Sequence, residues 1–467
     1  MRQLRYGQGN LCDGFWAREV GDLWPKWMRV ADDLLDDEAL IELIYEAQGK
    51  RHPMSRTRGR RQTPAEVVLR MLVLKHAHDW SFDETVRQVR ANVVHREFAR
   101  VGIEKVPDDK TLLRIAKFLG PEVIKGIHER IVTMAKEKKV VPGRRLRVDT
   151  TVVETNIHHP TDSSLLGDAS RVLTRLMKKV KAEAGELVSN VRDRMRSVQK
   201  KVVAIAISSR RTGPEGEKQR QGHYQKLLRL TRQVKNQAVR MSQEVQGLAE
   251  ESREPLVPLV TKLASMVEHA RRVIRQTKAR IFEGNTKVEN KLVSVFEPHT
   301  EIIRKGKASK PTEFGKMVKI QEAEGQIIVD YEVFDERPSD SDLLVASVRK
   351  HQELLERTPI LVAADSAFYS AANERELEQM NVHRTSVPNR ATKSEARKAK
   401  QKLRWFKNGQ RWRTGCEGRI SVLKRRHGLN RSRYRGAEGI KKWVGLGVIA
   451  DNLISLGRLL DVVEVQA

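Results

Sequence analysis

Three carboxylates set far apart in the chain are the residues whose types and surroundings point most directly to chemistry. Asp149 lies inside the β-branched run Arg145-Leu146-Arg147-Val148-Asp149-Thr150-Thr151-Val152-Val153. Asp365 ends the apolar run Pro359-Ile360-Leu361-Val362-Ala363-Ala364, and Glu417 lies in a helical stretch with Arg413 one turn before it and Lys424 two turns after it. Three carboxylates brought to one place can hold two divalent ions roughly 4 Å apart, one activating a water or hydroxyl nucleophile and the other stabilising the leaving oxygen. An oxygen-only ligand set favours magnesium, with manganese as the alternative, over zinc. A single Asp after an apolar strand is usually a loop cap, so the reading rests on the ordered set.

The elements that must position these acids follow from periodicity and turn chemistry. The first third reads as short helices: Asp32 to Gln48 carries Leu34, Leu35, Leu40, Leu43 and Ile44 at helical spacing. Thr63-Pro64-Ala65-Glu66 predicts a helix start with Thr63 as N-cap and Pro64 at the first helical position. Ser81-Phe82-Asp83-Glu84 repeats the capping signal, and Pro107-Asp108-Asp109 precedes another helix from Thr111 to Phe118. Such a cluster is either a helix-turn-helix reader or a plain scaffold for dimerisation, and periodicity does not separate the two. The strand through Asp149 comes next. Leu165 to Arg280 is helical again and very basic, with apolar recurrences at Val172, Leu173, Leu176 and Val180.

Strand signals return at Lys316 to Ile320 and Ile327 to Phe334, joined through Gly325 as a hairpin. Ser339 to His351 predicts a helix with Asp340 and Asp342 in its first turn, followed by the buried strand that ends at Asp365. A helix over Glu374 to Met380, a strand over Val382 to Val387, a poorly patterned basic stretch and two closing helices complete the chain. Strand with Asp, hairpin, helix, strand with Asp, helix, strand, helix with Glu: this is the order of the ribonuclease-H-like fold. The expected class is therefore α/β, a ribonuclease-H-like core of mixed sheet flanked by helices, with a helical N-terminal domain and a large basic helical insertion. The expected bounds are 1–140 for the helical N-terminal domain, 141–164 for the first part of the core, 165–285 for the insertion, and 286–467 for the rest of the core and the C-terminal helices.

Charge narrows the partner. Lysine and arginine total 89 against 60 acidic residues in 467, a net +29 with a pI near 10.2. Self-repulsion on that scale calls for an anionic partner, with nucleic acid the leading candidate and a ribosome-associated factor or a membrane-surface binder the alternatives on composition alone. From Arg390 to Lys442 there are 19 basic and 3 acidic residues, with Trp405, Phe406, Trp412 and Tyr434 interleaved as stacking surfaces. Arg413, Arg419 and Lys424 are the candidate phosphate contacts there. Arg271, Arg272 and Arg275, near the end of the insertion, are candidates to guide a phosphate backbone toward Asp149. Lys305-Gly306-Lys307 is a candidate DNA-contacting turn.

Other features exclude rather than suggest. Cys12 and Cys416 have no C-x-x-C spacing, so no disulfide framework or zinc ribbon is expected. His158-His159-Pro160 reads as a turn, since no second ligand pair has metal spacing. Glu154 and Asp162 are acids near a strand end that can supplement a metal site. No apolar core of a signal peptide opens the sequence, and Trp443 to Gly457, interrupted by Asp451 and Asn452, reads as too short to cross a bilayer. A soluble, cytoplasmic, nucleoid-associated protein without a membrane contact is the expectation.

Taken together these residues resemble the DDE transposases of bacterial insertion sequences, in the branch whose third-acid signature is Tyr-x2-Arg-x3-Glu-x6-Lys. Arg413, Glu417 and Lys424 match that signature, and Gln410 stands at the Tyr position. Pro64 to Arg70 and Asp109 to Arg114 resemble the family's helical amino-terminal domain. Val148 to Val152 resembles its first-acid strand, and Ala363 to Tyr369 its second-acid segment. The resemblance implies catalytic and metal-holding roles for Asp149, Asp365 and Glu417, with two magnesium ions. It also implies cleavage and strand transfer at DNA ends, with terminal inverted repeats and target DNA as partners, and because two ends must be joined a homodimer is expected. A nuclease or resolvase of the same fold without strand transfer, and a non-catalytic DNA-binding regulator, are the competing readings. The helical insertion after the first acid is not part of what is shared.

Overall fold

The structure is a computed structural model that describes residues 1–6, 19–50, 53–304 and 311–466. The chain divides into two compact units, one formed by 1–156 with 303–467 and the other by 157–302. The second unit begins before and ends after the insertion bounds expected from sequence.

The first unit is built on a six-stranded sheet: β1 (Arg145–Glu154), β2 (Glu301–Arg304), β3 (Thr312–Glu322), β4 (Ile328–Val333), β5 (Leu361–Ala363) and β6 (Arg384–Ser386). The order is β2-β3-β1-β5-β6, with β4 also paired to β3. β1 runs antiparallel to β3 and parallel to β5, and β5 runs parallel to β6. The β3–β4 hairpin turns through Gly325 at φ 68°, a left-handed conformation that glycine adopts without strain. This is the mixed sheet of a ribonuclease-H-like core, as the order of elements predicts.

Among the helices described before the sheet are α1 (Lys26–Leu35), α2 (Glu38–Gly49), α3 (Ala65–Ala77), α4 (Phe82–Ala91), α5 (Val93–Phe98), α6 (Asp109–Phe118) and α7 (Pro121–Glu137). Ser81 caps α4 through the Glu84 N–H at 3.0 Å, and Asp108 caps α6 through the Thr111 N–H at 2.7 Å. α3 departs from the expected start. It begins at Ala65 with no side-chain cap, because the Ala65 and Glu66 N–H groups donate to the Gln3 and Leu4 carbonyls at 2.9 and 3.1 Å. A distant backbone segment thus satisfies the donors that Thr63 was expected to serve. Every residue of α3 from Ala65 to His76 is buried, so this helix is scaffold and has no face to offer a groove.

The N-terminal helices do not form a domain apart. α16 (Ala437–Gln466) runs among them, and Leu446, Ile449, Leu453 and Leu456 share one core with Met28, Leu35, Leu69, Leu72 and Ile127. The stretch Ala437–Leu460 is long and apolar enough to cross a membrane, contrary to the sequence estimate, yet most of it is buried against these partners.

On one face of the sheet, Leu146, Val148 and Val152 pack with Leu344 and Val348 of α12 (Asp340–Leu355) and Leu377 of α13 (Ala371–Gln379). On the other, Val153, Val318 and Ile320 pack with Cys416 and Leu423 of α15 (Arg404–Arg426) and with Trp443 and Val444 of α16. The second unit carries four long helices, α8 (Asp162–Ala184), α9 (Met195–Ser208), α10 (Gly213–Gln246) and α11 (Val257–Phe282). Its separate core includes Leu173, Val180, Leu227, Val234, Leu263 and Val273. α14 (Glu395–Lys402) occupies the basic stretch read as poorly patterned.

One buried cation in α3 has no carboxylate partner among the described residues. Lys75 is 2% exposed, and its ammonium lies 4.6, 4.9 and 5.4 Å from the ring centroids of Trp443, Phe82 and Tyr434. Burial, reinforced by Arg433 and opposed by Asp79, drives its pKa from 10.5 down to about 7. The folded state therefore binds fewer protons than the unfolded chain between about pH 7 and 10.5, and Lys75 costs stability fully below that window and not at all above it. The stability of the native chain relative to Lys75→Met is expected to rise with pH from 7 to 9.5, read by denaturant unfolding at several pH values. A difference that stays level with pH would contradict this account.

Candidate active site

The sheet register decides where two of the acids fall. β1 and β5 pair as Arg145↔Leu361, Leu146↔Val362 and Arg147↔Ala363. Continuing that register two residues sets Asp149, in the middle of β1, level with Asp365, which lies just past the carboxyl end of the neighbouring parallel strand β5. Asp365 caps the short turn Ser366–Phe368, its carboxylate accepting from the Ala367 N–H at 2.8 Å. Asp149 accepts from the Thr150 N–H at 2.7 Å. Thr150, facing the opposite side of the strand, donates its hydroxyl to Asp340 at 3.0 Å.

Glu417 arrives from α15, and three contacts hold this helix against the sheet. Gln410 donates from Nε2 to the Ala364 carbonyl at 3.2 Å and to the Ser386 carbonyl at 2.5 Å, fastening α15 to the ends of β5 and β6. Arg147 donates to the Trp412 carbonyl at 2.5 Å, lies 4.8 Å from the Trp412 ring centroid and pairs with buried Glu322. Arg419, buried at 6% exposure, pairs with Asp451 of α16 at 2.8 and 3.1 Å. Two glycines allow the close approach: a Cβ at Gly409 would lie 2.7 Å from the Ser386 side chain, and one at Gly415 2.2 Å from the Arg147 guanidinium.

With α15 so held, Arg413 reaches both acids. Its guanidinium is 2.9 Å from a Glu417 oxygen and 3.9 Å from an Asp149 oxygen. Asp149 and Arg413 are each 15% exposed, while Glu417 is 58% exposed, so the site opens to solvent on the helix side. Cys416, one residue before the acid, points inward, and burial with the nearby Glu322 and Asp149 carboxylates pushes its thiol well above the ordinary range. It is a packed core residue, not a nucleophile.

The sequence candidates therefore separate. Asp149 lies in mid-β1 and Asp365 just past the end of neighbouring β5, Glu417 joins Asp149 through Arg413, and Lys424 lies on the same side of α15, half-buried. Arg419 does not join them: its position places it on the inward face with Cys416 and Leu423, where its charge serves Asp451. Glu154 pairs with Arg431 at 3.1 Å, and Asp162 with Arg280 at 2.8 Å. His158 sits 3.4 Å from Asp168. In the second unit Arg271 and Arg275 are exposed, Arg271 pairs with Glu268 at 2.5 Å, and half-buried Arg272 donates to the Asn290 carbonyl at 2.7 Å. Lys305-Gly306-Lys307 lies outside the described residues.

Among the described residues no three His, Cys, Asp or Glu side chains stand close enough together to hold one ion as they are placed. The donor set fits hard divalent cations by type, since all three candidates offer carboxylate oxygens.

Periodicity alone left Gln410 and Arg147 unnoticed as positioning residues. The signal that points to them is the pair of glycines six residues apart inside a helix, where glycine is otherwise costly.

Two family models match the chain. One described as "Transposase domain (DUF772)" matches residues 26–117, and one described as "Transposase DDE domain" matches residues 290–453. The second stretch contains Asp365 and Glu417, whereas Asp149 lies outside both. No curated protein and no solved structure matches.

Proposed function

We propose, for a chain that belongs to the DDE transposases of insertion sequences, that it cuts DNA at the element's ends and joins the freed 3′-hydroxyls to target DNA. Asp149, Asp365 and Glu417 are the proposed catalytic and metal-holding residues. The observation that supports this assignment is the β1–β5 register, whose continuation sets Asp149 level with Asp365 although a whole helical unit separates them in sequence. Two divalent ions, magnesium or manganese, would when bound activate the attacking oxygen and stabilise the leaving one.

The protein's own groups do the rest. Asp149 is fixed by its strand and Asp365 by its turn, so both carboxylates are preorganised. Glu417 rides on a helix held by Gln410 and Arg147, and its exposed side chain is paired with Arg413. Arg413 neutralises the acids before substrate arrives and then faces the scissile phosphate, with Lys424 further along the same side. Two element ends must be joined, so a homodimer on DNA is the proposed assembly, acting in the cytoplasm on the nucleoid. Purified protein, magnesium and DNA carrying the element's inverted repeats test this reading. Joined products support it, and cleavage without joining would leave a nuclease.

DNA binding is expected to be dominated by phosphate contacts and therefore steeply dependent on salt. With six to ten neutralised phosphates, affinity falls by roughly 10³–10⁵ between 50 and 200 mM salt. Arg271, Arg272 and Arg275 are proposed to supply up to three of these contacts, since the exposed Arg271–Glu268 pair contributes little on its own and yields readily to phosphate. Replacing all three with Gln should shallow the slope by about one unit per lost contact while the fold persists. An unchanged slope in the folded triple variant would leave the insertion as a brace.

A further inference from the structure

The longest helix of the second unit carries a face whose charge nothing beside it neutralises. On α10 the residues from Lys218 to Gln243 include seven basic and no acidic side chains. Leu227, Leu228, Val234, Ala238 and Met241 turn inward to the core that α10 shares with α8, α9 and α11. At about 3.6 residues per turn, Gln225, Arg229, Arg232, Asn236, Arg240 and Gln243 fall within about 80° of one another on the opposite side. All six are exposed.

Neighbouring helices pair their cations. Lys178 of α8 lies 2.6 Å from Asp193, Arg280 of α11 2.8 Å from Asp162, and Arg271 2.5 Å from Glu268. Among the described residues no carboxylate pairs with Arg229, Arg232 or Arg240 of α10. Like charges crowd this helix instead. Arg194, just before α9, donates to Gln233 and Gln237 of α10 at 3.1 and 3.4 Å, and burial, then the charges of Arg192 and Arg240, lowers its pKa. Burial, then Lys201 and Lys226, does the same to His223. A surface kept positive against its own repulsion suits a polyanion.

The residue types on the face narrow the polyanion to duplex DNA. A guanidinium donates to O6 and N7 of guanine, and the amide of Asn or Gln makes the matching pair of bonds to N6 and N7 of adenine, both at major-groove edges. Three guanidiniums and three amides make up this face. Lysines flank it: at about 100° per residue, Lys226 lies about 80° to one side of its centre and Lys235 about 100° to the other, toward the phosphates on the two walls of a groove. From Arg229 to Arg240 the helix rises about 17 Å, the length of roughly five base pairs at ~3.4 Å each. The major groove of B-form DNA, about 12 Å wide, admits an α-helix, whereas the deep, narrow groove of A-form RNA does not expose its bases to side chains.

We propose that α10 enters the major groove of the element-end DNA and reads its base sequence, with Arg229, Arg232 and Arg240 at guanine edges, Gln225, Asn236 and Gln243 at adenine edges, and Lys226 and Lys235 on the flanking phosphates. The inference rests on the DNA-substrate reading above. It makes the insertion a selector of sequence, where Arg271, Arg272 and Arg275 add backbone contacts that carry no sequence information.

The test uses the full chain without divalent metal at ~150 mM salt, since affinities depend on it. Two fluorescent duplexes of equal length and composition are compared by anisotropy, one carrying the inverted-repeat end that flanks the gene and one with that sequence shuffled. The native chain is expected to prefer the repeat end by about a hundredfold or more. Gln225→Ala, Asn236→Ala and Gln243→Ala together change no charge and favour the helix, so binding to the shuffled duplex should stay native while the preference falls about tenfold or more. Arg229→Gln with Arg240→Gln should weaken both duplexes, the repeat end more. No preference in the native chain, a preference unchanged in the folded amide variant, or an equal loss on both duplexes in the arginine variant overturns the proposal and leaves the DNA reading standing. Failure of the native chain to bind either duplex overturns both.

Discussion

Replacing Asp149 or Asp365 with Asn, or Glu417 with Gln, is expected to abolish DNA cleavage while DNA binding stays within a few-fold of native. Each change keeps the shape of the side chain and one accepting oxygen, and removes the negative charge. The Asp365 side-chain oxygen still caps the Ser366–Phe368 turn as Asn, so the fold there has no reason to change. Transition-state stabilisation worth several kcal/mol disappears with a ligand, a rate loss of roughly a thousandfold or more. Binding persists because it rests on lysine and arginine contacts elsewhere. A rate loss shared equally by the three variants marks a unit, since residues that act together are not additive. Clear magnesium-dependent cleavage by any of the three would remove that residue from the proposed triad.

The second large effect is expected at a residue that touches no substrate. Arg147→Ala should lower stability by about 3–5 kcal/mol, because it strands buried Glu322 beneath the sheet. Glu322 already has its carboxyl pushed up by burial, with Arg147 the main influence holding it down. The same change takes the donor from the Trp412 carbonyl and the packing partner from Gly415, so α15 loses its tie to β1. Cleavage should fall beyond what unfolding explains, since Glu417 sits two residues after Gly415. Arg147→Met combined with Glu322→Leu should recover most of the stability, as apolar replacement of a buried ion pair often does. Thermal and denaturant unfolding read the first effect, and cleavage at a temperature where the variant is folded reads the second. A variant as stable as the native chain would show that Arg147 is not what secures the helix.

Much of this arrangement is legible in sequence because each acid is announced by local pattern. A β-branched run surrounds Asp149, an apolar run precedes Asp365, and a helical face joins Arg413, Glu417 and Lys424. The hairpin through Gly325 and the caps at Ser81 and Asp108 are local as well. What escaped is nonlocal. The N-terminal residues Gln3 and Leu4 complete the start of α3, and no pattern around Thr63 reports that. α16 joins a core with helices several hundred residues earlier, which periodicity shows as an apolar stretch without naming its partner. Arg419 reads like its basic neighbours, and only the inward facing of Cys416 and Leu423 separates it from Arg413. Lys75 sits in a helix buried on every side, where a lysine carries no outward sign of the aromatic cage around it.

The most direct measurement of the central claim follows the fate of DNA ends. The full chain, with magnesium and a linear fragment bounded by the inverted repeats that flank its gene, is incubated with a supercoiled target plasmid and the products are sequenced. The account predicts cuts at the repeat ends and their 3′ ends covalently joined to the target, with no joining when magnesium is withheld. Intact repeat ends with magnesium present, in protein that binds the same fragment, would contradict it.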